Sequence, residues 1–222
     1  MSYQEKYHGA DINTIPNAMS ATRLLVTPLM YKLMAENPAK HWWKAGLVAL
    51  SDNADGAAAR LGDKHPSLAA LGLRRSEVGR KLDPIVDKVY TSAMILAGIK
   101  NRSIPKPLAA VALVQKAGVS AVTLNAERQQ QEIHVTATGG LGEFATNLGL
   151  GGLMASPAVE SLPKRTMLRA ASIGLAAAGV AISSVAAVGY ARQSALLPAE
   201  PTAIETNLEA FAGHLIPSKR TS

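Results

Sequence analysis

The sequence predicts an all-α fold, a polytopic membrane bundle of about six transmembrane helices. An uncharged run spans residues 170–191, between Arg169 and Arg192. At about 1.5 Å per residue this run can cross a hydrocarbon core of roughly 30 Å. Hydrophobic residues make up 48% of the chain, but aromatic residues make up only 4%. Most of the hydrophobic residues are therefore aliphatic or small, and small residues are typical of membrane helices that pack closely. A large soluble protein could bury such a helix, but 222 residues offer little protein to surround it.

Five weaker segments complete the predicted set of membrane spans. Several contain charged residues, so hydropathy alone would miss them. Trp42 and Trp43 begin the second segment with rings suited to a membrane interface. We expect one membrane domain over residues 1–192 and a polar tail over 193–222, with a short amphipathic helix around Ile204, Leu208 and Phe211. The predicted spans are 20–35, 41–62, 82–99, 105–125, 141–159 and 170–191.

Composition narrows the class of partner. The chain has no Cys, which excludes disulfides, thiolate zinc sites and a Cys nucleophile. Its net charge of +7 suits nucleic acid or an anionic lipid surface. Few aromatic residues and the lack of a nucleic-acid-binding signature favour membrane lipids, and no nucleic-acid partner is expected.

The distribution of basic residues predicts the orientation in the membrane. The densest basic stretch lies between the second and third spans, which places that loop and both termini in the cytoplasm. The loop with Lys100, Arg102 and Lys106 argues mildly for the opposite orientation. Since no targeting helix precedes the first span, we expect the bacterial cytoplasmic membrane, with the mitochondrial inner membrane as the alternative. The basic stretch comprises Arg60, Lys64, Arg74, Arg75, Arg80 and Lys81.

The stretch "SDNADGAAARLG", residues 51–62, has some features of a calcium-binding loop. Counted from Ser51, Asn53, Asp55 and Gly56 occupy EF-hand positions. Position 12, which requires a bidentate Glu, is Gly62. The calcium-loop interpretation therefore fails at the residue that would close the site.

The same stretch forms half of a paired acidic pattern. Asp52, Asp55, Gly56, Ala59 and Arg60 fall on one stripe of a helix, and Gly79, Asp83 and Asp87 fall on another. Four carboxylates brought together repel one another unless a cation or protons neutralise them. Oxygen ligands favour Mg²⁺, Mn²⁺ or Ca²⁺ over zinc. The competing interpretation is a solvated helix face with no ligand.

The full pattern, D-x2-D-G-x2-A-R followed by G-x3-D-x3-D, resembles the signature of the CDP-alcohol phosphotransferases, membrane enzymes of phospholipid synthesis. Asn17, Ser20 and Arg23 are similar to the start of that family's first helix. "LDPIVDK", residues 82–88, is similar to the version in phosphatidylglycerophosphate synthases and eukaryotic-type cardiolipin synthases. The resemblance covers roughly residues 13–155.

The resemblance implies an activity and a role for each matching residue. The expected reaction transfers a phosphatidyl group from CDP-diacylglycerol to glycerol 3-phosphate and releases CMP, with Mg²⁺ or Mn²⁺ as cofactor. Asp87 is expected to act as general base, and homodimerisation is expected. The implied metal ligands are Asp52, Asp55, Asp83 and Asp87; Gly56, Ala59, Arg60 and Gly79 are expected to bind the CDP-lipid; Arg23, Arg80, Lys81 and Lys88 are candidates for binding the acceptor or phosphate groups.

Three departures from the family pattern affect the expected acceptor. Residues 61–78 lengthen the spacing between the two halves of the signature, as an insertion in the cytoplasmic loop. Gln115-Lys116 replaces an Arg followed by an acid, and Glu143 replaces a Lys after Gly142. Lys116 either lines a polar cavity or extends its amino group to the membrane surface.

Several alternatives stay open at this point. A cardiolipin synthase would use phosphatidylglycerol as the acceptor, and another member of the family would use a different alcohol. A membrane scaffold could keep the fold without catalysis. A soluble helical protein that binds Mg²⁺ would be extracted without detergent.

Overall fold

The structure is a computed structural model that describes residues 14–64, 77–128 and 136–193. Side-chain detail covers these ranges except residues 52–64, 77–82, 84, 126–128 and 193. Most of the predicted insertion at 61–78, and the predicted tail with its helix around Ile204, lie outside the described residues.

The described residues form helices and short connections, with no strand among them. The predicted all-α fold with six helices is confirmed, and each predicted span corresponds to one helix. Residues 61–64 continue the second helix and residues 77–78 begin the third. The helices are α1 (Ile15–Glu36), α2 (Pro38–Lys64), α3 (Glu77–Lys100), α4 (Lys106–Arg128), α5 (Ala137–Ala155) and α6 (Leu162–Gln193), and a 3-10 turn over Ser156–Ala158 follows α5.

Short polar residues cap the helices where the sequence provides them. The Thr14 side chain accepts a hydrogen bond from the backbone of Asn17 at the start of α1. Asn37 ends α1, and its side chain accepts from the Lys40 backbone at 3.2 Å in the first turn of α2. Thr136 caps α5 in the same way, through Gly139. Such caps satisfy backbone N–H groups that have no partner within the helix.

The helices belong to two compact units that divide between Arg102 and Ser103. In the first unit, α1 packs against both α2 and α3. The C-terminal half of α1 contributes Met30 and Met34 to the buried core, and Val86 and Ile95 contribute from α3.

In the second unit, α5 packs closely along α6, and α4 also contacts α6. Small residues allow the approach of α5 and α6. A Cβ atom on Gly149 would lie 2.5 Å from the Ala176 backbone nitrogen and 2.7 Å from the Ser172 carbonyl oxygen. A Cβ atom on Gly179 of α6 would lie 2.4 Å from the Thr146 backbone nitrogen. The two backbones are therefore in contact at these positions, as in closely packed membrane helices.

Two of the described helices are long and apolar enough to cross a membrane by length and composition. They are the segments Lys106–Asn125 of α4 and Leu162–Arg192 of α6. Large apolar side chains are also exposed on the helices, including Leu25 at 80%, Val114 at 72% and Met167 at 77%. Exposed apolar side chains of this size suit a surface that faces lipid.

The contact between α5 and α6 predicts that Gly149→Ala destabilises the protein. The added methyl group would collide with backbone atoms of α6, and overpacking of this kind costs about 1–3 kcal/mol. Thermal unfolding of the detergent-purified chain, followed by far-ultraviolet circular dichroism, should show a lower midpoint for the variant.

Gly151→Ala is the matched control on the same helix, since a Cβ atom there meets nothing within 4 Å. It should leave stability unchanged or raise it by up to about 1 kcal/mol, because Ala favours a helix more than Gly does. Equal midpoints for the two variants would contradict the close packing at Gly149.

Candidate active site

Helix α1 carries a stripe of buried polar side chains from Asn17 to Thr27. Asn17, Ser20, Arg23 and Thr27 recur every three or four residues, which places them on one face of the helix. Ser20 is fully buried and Arg23 is only 2% exposed. Burying polar and charged groups costs free energy unless they are paired. The hydrogen-bond partners of these side chains therefore identify which residues of the neighbouring helices this face of α1 contacts.

Ser20 contacts the second half of the acidic pattern. Its hydroxyl donates a hydrogen bond to Oδ1 of Asp83 on α3, with an oxygen–oxygen distance of 2.5 Å. The same hydroxyl lies 3.2 Å from the carbonyl oxygen of Pro16. A hydroxyl has one proton, and a short bond to a charged acceptor is the stronger of the two. The proton therefore belongs to the bond with Asp83.

Arg23 contacts the residue directly before the first half of the pattern. Its Nε and Nη2 atoms donate to the Ser51 hydroxyl oxygen at 3.4 and 3.3 Å. The Ser51 hydroxyl donates to the Val48 carbonyl oxygen at 2.7 Å. Because Ser51 precedes Asp52, α1 is connected to both helices that carry the acidic pattern.

The directions of the helices follow from contacts at both ends of α1. Ser20 meets Asp83 near the start of α3, and the Met34 carbonyl oxygen accepts a hydrogen bond from Asn101, which follows α3, at 2.7 Å. Helices α1 and α3 therefore run parallel. Because only Asn37 separates α1 from α2, and α2 returns to contact Arg23, these two helices run antiparallel.

This arrangement brings the backbone of both halves of the pattern to the same level of the first unit. Ser20 and Arg23 are three residues apart, or about 4.5 Å along the axis of α1. Ser51 and Asp83, which they contact, are therefore at nearly the same height. A direct hydrogen bond between α2 and α3 supports this register: the Tyr90 hydroxyl donates to the Ala45 carbonyl oxygen at 2.6 Å.

Asp83 and Asp87 lie one turn apart on α3, and both are partly exposed. Their spacing puts the two carboxylates on one face of the helix. Lys88, a predicted phosphate contact, follows on the same helix and is also partly exposed.

The described part of the site fits a hard divalent cation in its donor chemistry. Asp83 and Asp87 supply carboxylate oxygens, and Ser20 fixes one of these oxygens. The described side chains contain no group of three or more His, Asp or Glu residues that could hold a metal ion. The side chains of Asp52 and Asp55, the other two predicted ligands, lie outside the described residues. The set of four carboxylates therefore stays a prediction.

Other predicted site residues also fall in the part of α2 and α3 without side-chain detail. Their backbones belong to these helices, and their roles stay predictions. They are Gly56, Ala59, Arg60, Gly79, Arg80 and Lys81.

In the second unit, the two departures from the family pattern pair with each other. Lys116 of α4 forms an ion pair with Glu143 of α5; the Lys116 side chain is 7% exposed and that of Glu143 is 40% exposed. Asn147 lies one turn further along α5, with its Oδ1 atom 3.4 Å from the Lys116 amino group, and it donates to Glu143 at 3.2 Å. The Lys116 side chain is buried beside polar groups of α5, which argues against extension to the membrane surface, and the predicted polar cavity stays a prediction.

The sequence does not predict the hydrogen bonds of three residues in this region. Ser51 and Tyr90 carry no predicted role, and Ser20 is predicted only as part of the first-helix pattern. The available signal was the spacing of Ser20 and Arg23, because a polar stripe on an otherwise apolar helix requires partners.

A family model described as CDP-alcohol phosphatidyltransferase matches residues 13–188. The match runs from the residue before the α1 cap into α6, and the chain belongs to the CDP-alcohol phosphatidyltransferase family. It is therefore an enzyme of a phosphotransferase family, which transfers phospholipid headgroups and uses CDP-alcohol donors and alcohol acceptors. Comparison with curated proteins and with solved structures gives no match.

Family membership and the two apolar helices together indicate a membrane protein. The family is generally dependent on a divalent metal. Both statements agree with the exposed apolar side chains and with the carboxylates of α3.

The ion pair between Lys116 and Glu143 predicts a coupled effect on stability. Glu143→Gln should lower the free energy of unfolding by up to about 3 kcal/mol, the lower end for breaking a buried pair, because it leaves the Lys116 charge buried. Lys116→Met should cost less, since Glu143 is partly exposed and can be hydrated. The double variant should lose less than the sum of the single variants in thermal unfolding.

Lys164→Met, at an exposed position in the first turn of α6, serves as the control for loss of a surface charge. It should change the unfolding midpoint little. Strictly additive effects of the two single substitutions would contradict the pairing.

Proposed function

We propose that the protein is a phosphatidylglycerophosphate synthase-like enzyme, which transfers a phosphatidyl group from CDP-diacylglycerol to glycerol 3-phosphate and releases CMP. The observation that supports it best is the pair of contacts made by α1. Ser20 bonds to Asp83, and Arg23 bonds to Ser51, the residue before Asp52, so one face of α1 contacts both helices that carry the acidic pattern. A shared site for a diphosphate and its cation requires such an arrangement.

The proposed site divides into donor-binding and cation-binding residues. Asp52, Asp55, Asp83 and Asp87 would hold Mg²⁺ or Mn²⁺, which when bound offsets negative charge on the diphosphate and the leaving group. Arg60 would lie near the diphosphate. The small residues Gly56, Ala59 and Gly79 would allow the nucleotide to approach the helix backbones.

In the proposed reaction, Asp87 acts as general base. It accepts the proton of the acceptor hydroxyl as that oxygen attacks the β-phosphorus of the donor. The bond between this phosphorus and the oxygen that bridges to the α-phosphate breaks, and CMP leaves with that oxygen. An activated hydroxyl is required because an un-ionised alcohol is a poor nucleophile.

Basic residues near the acidic pattern support an anionic acceptor. Lys88 directly follows Asp87, while Arg80 and Lys81 precede Asp83. Arg23 is a further candidate for a phosphate group, although Ser51 already occupies part of its guanidinium.

A second acceptor follows from residues 82–88, because this stretch is similar to the version in eukaryotic-type cardiolipin synthases as well as in phosphatidylglycerophosphate synthases. Phosphatidylglycerol, the acceptor of a cardiolipin synthase, carries a single phosphodiester charge and supplies a hydroxyl. We therefore keep cardiolipin synthesis as the second candidate, and other acceptor alcohols after it.

The proposed setting is the bacterial cytoplasmic membrane, with the site facing the cytoplasm and the chain a homodimer. The basic residues at the end of α2, at the start of α3 and in the segment that joins them support this orientation through the excess of Lys and Arg on the cytoplasmic side. Residues 1–192 would form the catalytic membrane domain.

The function is tested by CMP release from CDP-diacylglycerol with detergent-purified protein and Mg²⁺, with glycerol 3-phosphate and phosphatidylglycerol supplied separately. We expect release with glycerol 3-phosphate, loss of release on chelation, and recovery with Mg²⁺ or Mn²⁺. Release with phosphatidylglycerol alone would move the assignment to cardiolipin synthesis. No release with either acceptor would contradict both assignments.

Asp87→Asn in the same assay tests the mechanism. Removal of the general base should lower the rate by about 10²- to 10⁴-fold. Glu36→Gln, at an exposed acidic residue that ends α1, is the control and should keep the wild-type rate. Full metal-dependent activity in Asp87→Asn would rule out the proposed base.

A further inference from the structure

The Ser20 hydroxyl differs from the other hydroxyls of α1 in its partner. Thr22 and Thr27 donate to the backbone carbonyl oxygen four residues earlier, at 2.7 and 2.8 Å. Ser20 lies 3.2 Å from the corresponding carbonyl of Pro16 and 2.5 Å from Asp83. A hydroxyl that only needed to satisfy itself in an apolar helix would bond to the backbone, as Thr22 and Thr27 do. Ser20 instead donates to a side chain on a neighbouring helix.

The acceptor of this bond is a carboxyl group. Hydrogen bonds to an ionised carboxylate are roughly twice as strong as bonds between neutral groups, such as those from Thr22 and Thr27 to backbone carbonyls. The Ser20 side chain is fully buried and short, so its oxygen has little freedom to move. The bond therefore holds one oxygen of the Asp83 carboxylate next to α1.

Orientation of a ligand before the cation binds has a known effect on affinity. Partners that hydrogen-bond to a ligating group keep it in its productive orientation, and their loss typically costs about 10- to 100-fold in metal affinity or activity. A carboxylate on the first turns of α3 can adopt several rotamers, and each hydrogen bond to it reduces their number. The Ser20 hydroxyl supplies one such contact to Asp83.

We propose that Ser20 is a positioning residue for the metal site: through its hydrogen bond it holds Asp83 in the orientation that binds the divalent cation. This inference rests on the proposed function, which assigns Asp83 as a metal ligand. Ser20 acts through Asp83 and touches neither the donor nor the acceptor.

The test is Mn²⁺ binding to the detergent-purified full chain, measured from the electron paramagnetic resonance signal of free Mn²⁺. Ser20→Ala should raise the Kd for Mn²⁺ by about 10- to 100-fold. Ser20→Thr keeps the hydroxyl and should retain wild-type affinity. Thr27→Val is the matched control, since it removes a buried hydroxyl of the same helix that bonds to the backbone, and its Kd should not change.

A second readout separates positioning from general damage to the fold. In Ser20→Ala, the Mn²⁺ concentration that gives half-maximal CMP release should rise, while most of the maximal rate returns at saturating Mn²⁺. A purely structural role for Ser20 would lower the rate equally at every Mn²⁺ concentration. That result would overturn the proposal.

If Ser20→Ala does not fold, Ser20→Cys tests the same proposal. A thiol is similar in size to the Ser20 hydroxyl but donates a weaker hydrogen bond, so this variant should bind Mn²⁺ more weakly than the wild-type chain. Wild-type affinity in either variant, or an equal loss in Thr27→Val, would overturn the proposal. Failure of the proposed function is distinguishable: a wild-type chain that binds Mn²⁺ but releases no CMP refutes the reaction alone, and one that binds no Mn²⁺ refutes both.

Discussion

The hydrogen bond between the Ser20 hydroxyl and the Asp83 carboxylate ties α1 to the helix that carries half of the acidic pattern. A few residues along α1, Arg23 ties the same face to Ser51 of α2. Polar groups buried in an apolar bundle need partners, so few helix registers satisfy both contacts at once. These contacts therefore determine which residues of α2 and α3 stand opposite each other, and the site depends on them.

The two units use different means to fix their helices. In the first unit, buried polar side chains of α1 specify the register, and methionines fill the core further along the helix. In the second unit, Gly149 and Gly179 bring the backbones of α5 and α6 into contact, and the Lys116–Glu143 pair connects α4 to α5. The first unit therefore depends on specific polar contacts, and the second depends on close backbone packing with one ion pair.

Much of the fold could be predicted from apolar runs, but the ends of the helices could not. Helix α3 begins at Glu77, earlier than the predicted 82, because its first turns are polar and hydropathy does not detect them. Helix α6 begins at Leu162 and not at 170, since basic residues such as Arg165 interrupt the apolar run without breaking the helix. Helix α5 ends at Ala155, before the predicted 159, because Pro157 has no backbone N–H to donate to the next α-helical hydrogen bond, and a 3-10 turn over Ser156–Ala158 follows.

The acidic pattern is visible in the sequence through its spacing, whereas the hydrogen-bond partners of its residues are not. The spacing of Asp83 and Asp87 is a property of one helix and can be read along the sequence. The contact of Asp83 with Ser20 depends on which helices are neighbours and in what register they pack. The pairing of Lys116 with Glu143 also depends on which helices are neighbours. In the sequence these two residues appear only as two separate departures from a family pattern.

The claim that carboxylates from α2 and α3 hold one cation is tested most directly by counting bound Mn²⁺. The measurement compares the wild-type chain with Asp52→Ala and Asp83→Asn, one variant on each helix, by equilibrium titration of purified protein. A shared site predicts that each substitution alone removes high-affinity Mn²⁺ binding. If either variant kept wild-type affinity and stoichiometry, the two helices would not share a cation, and the proposed site would be wrong.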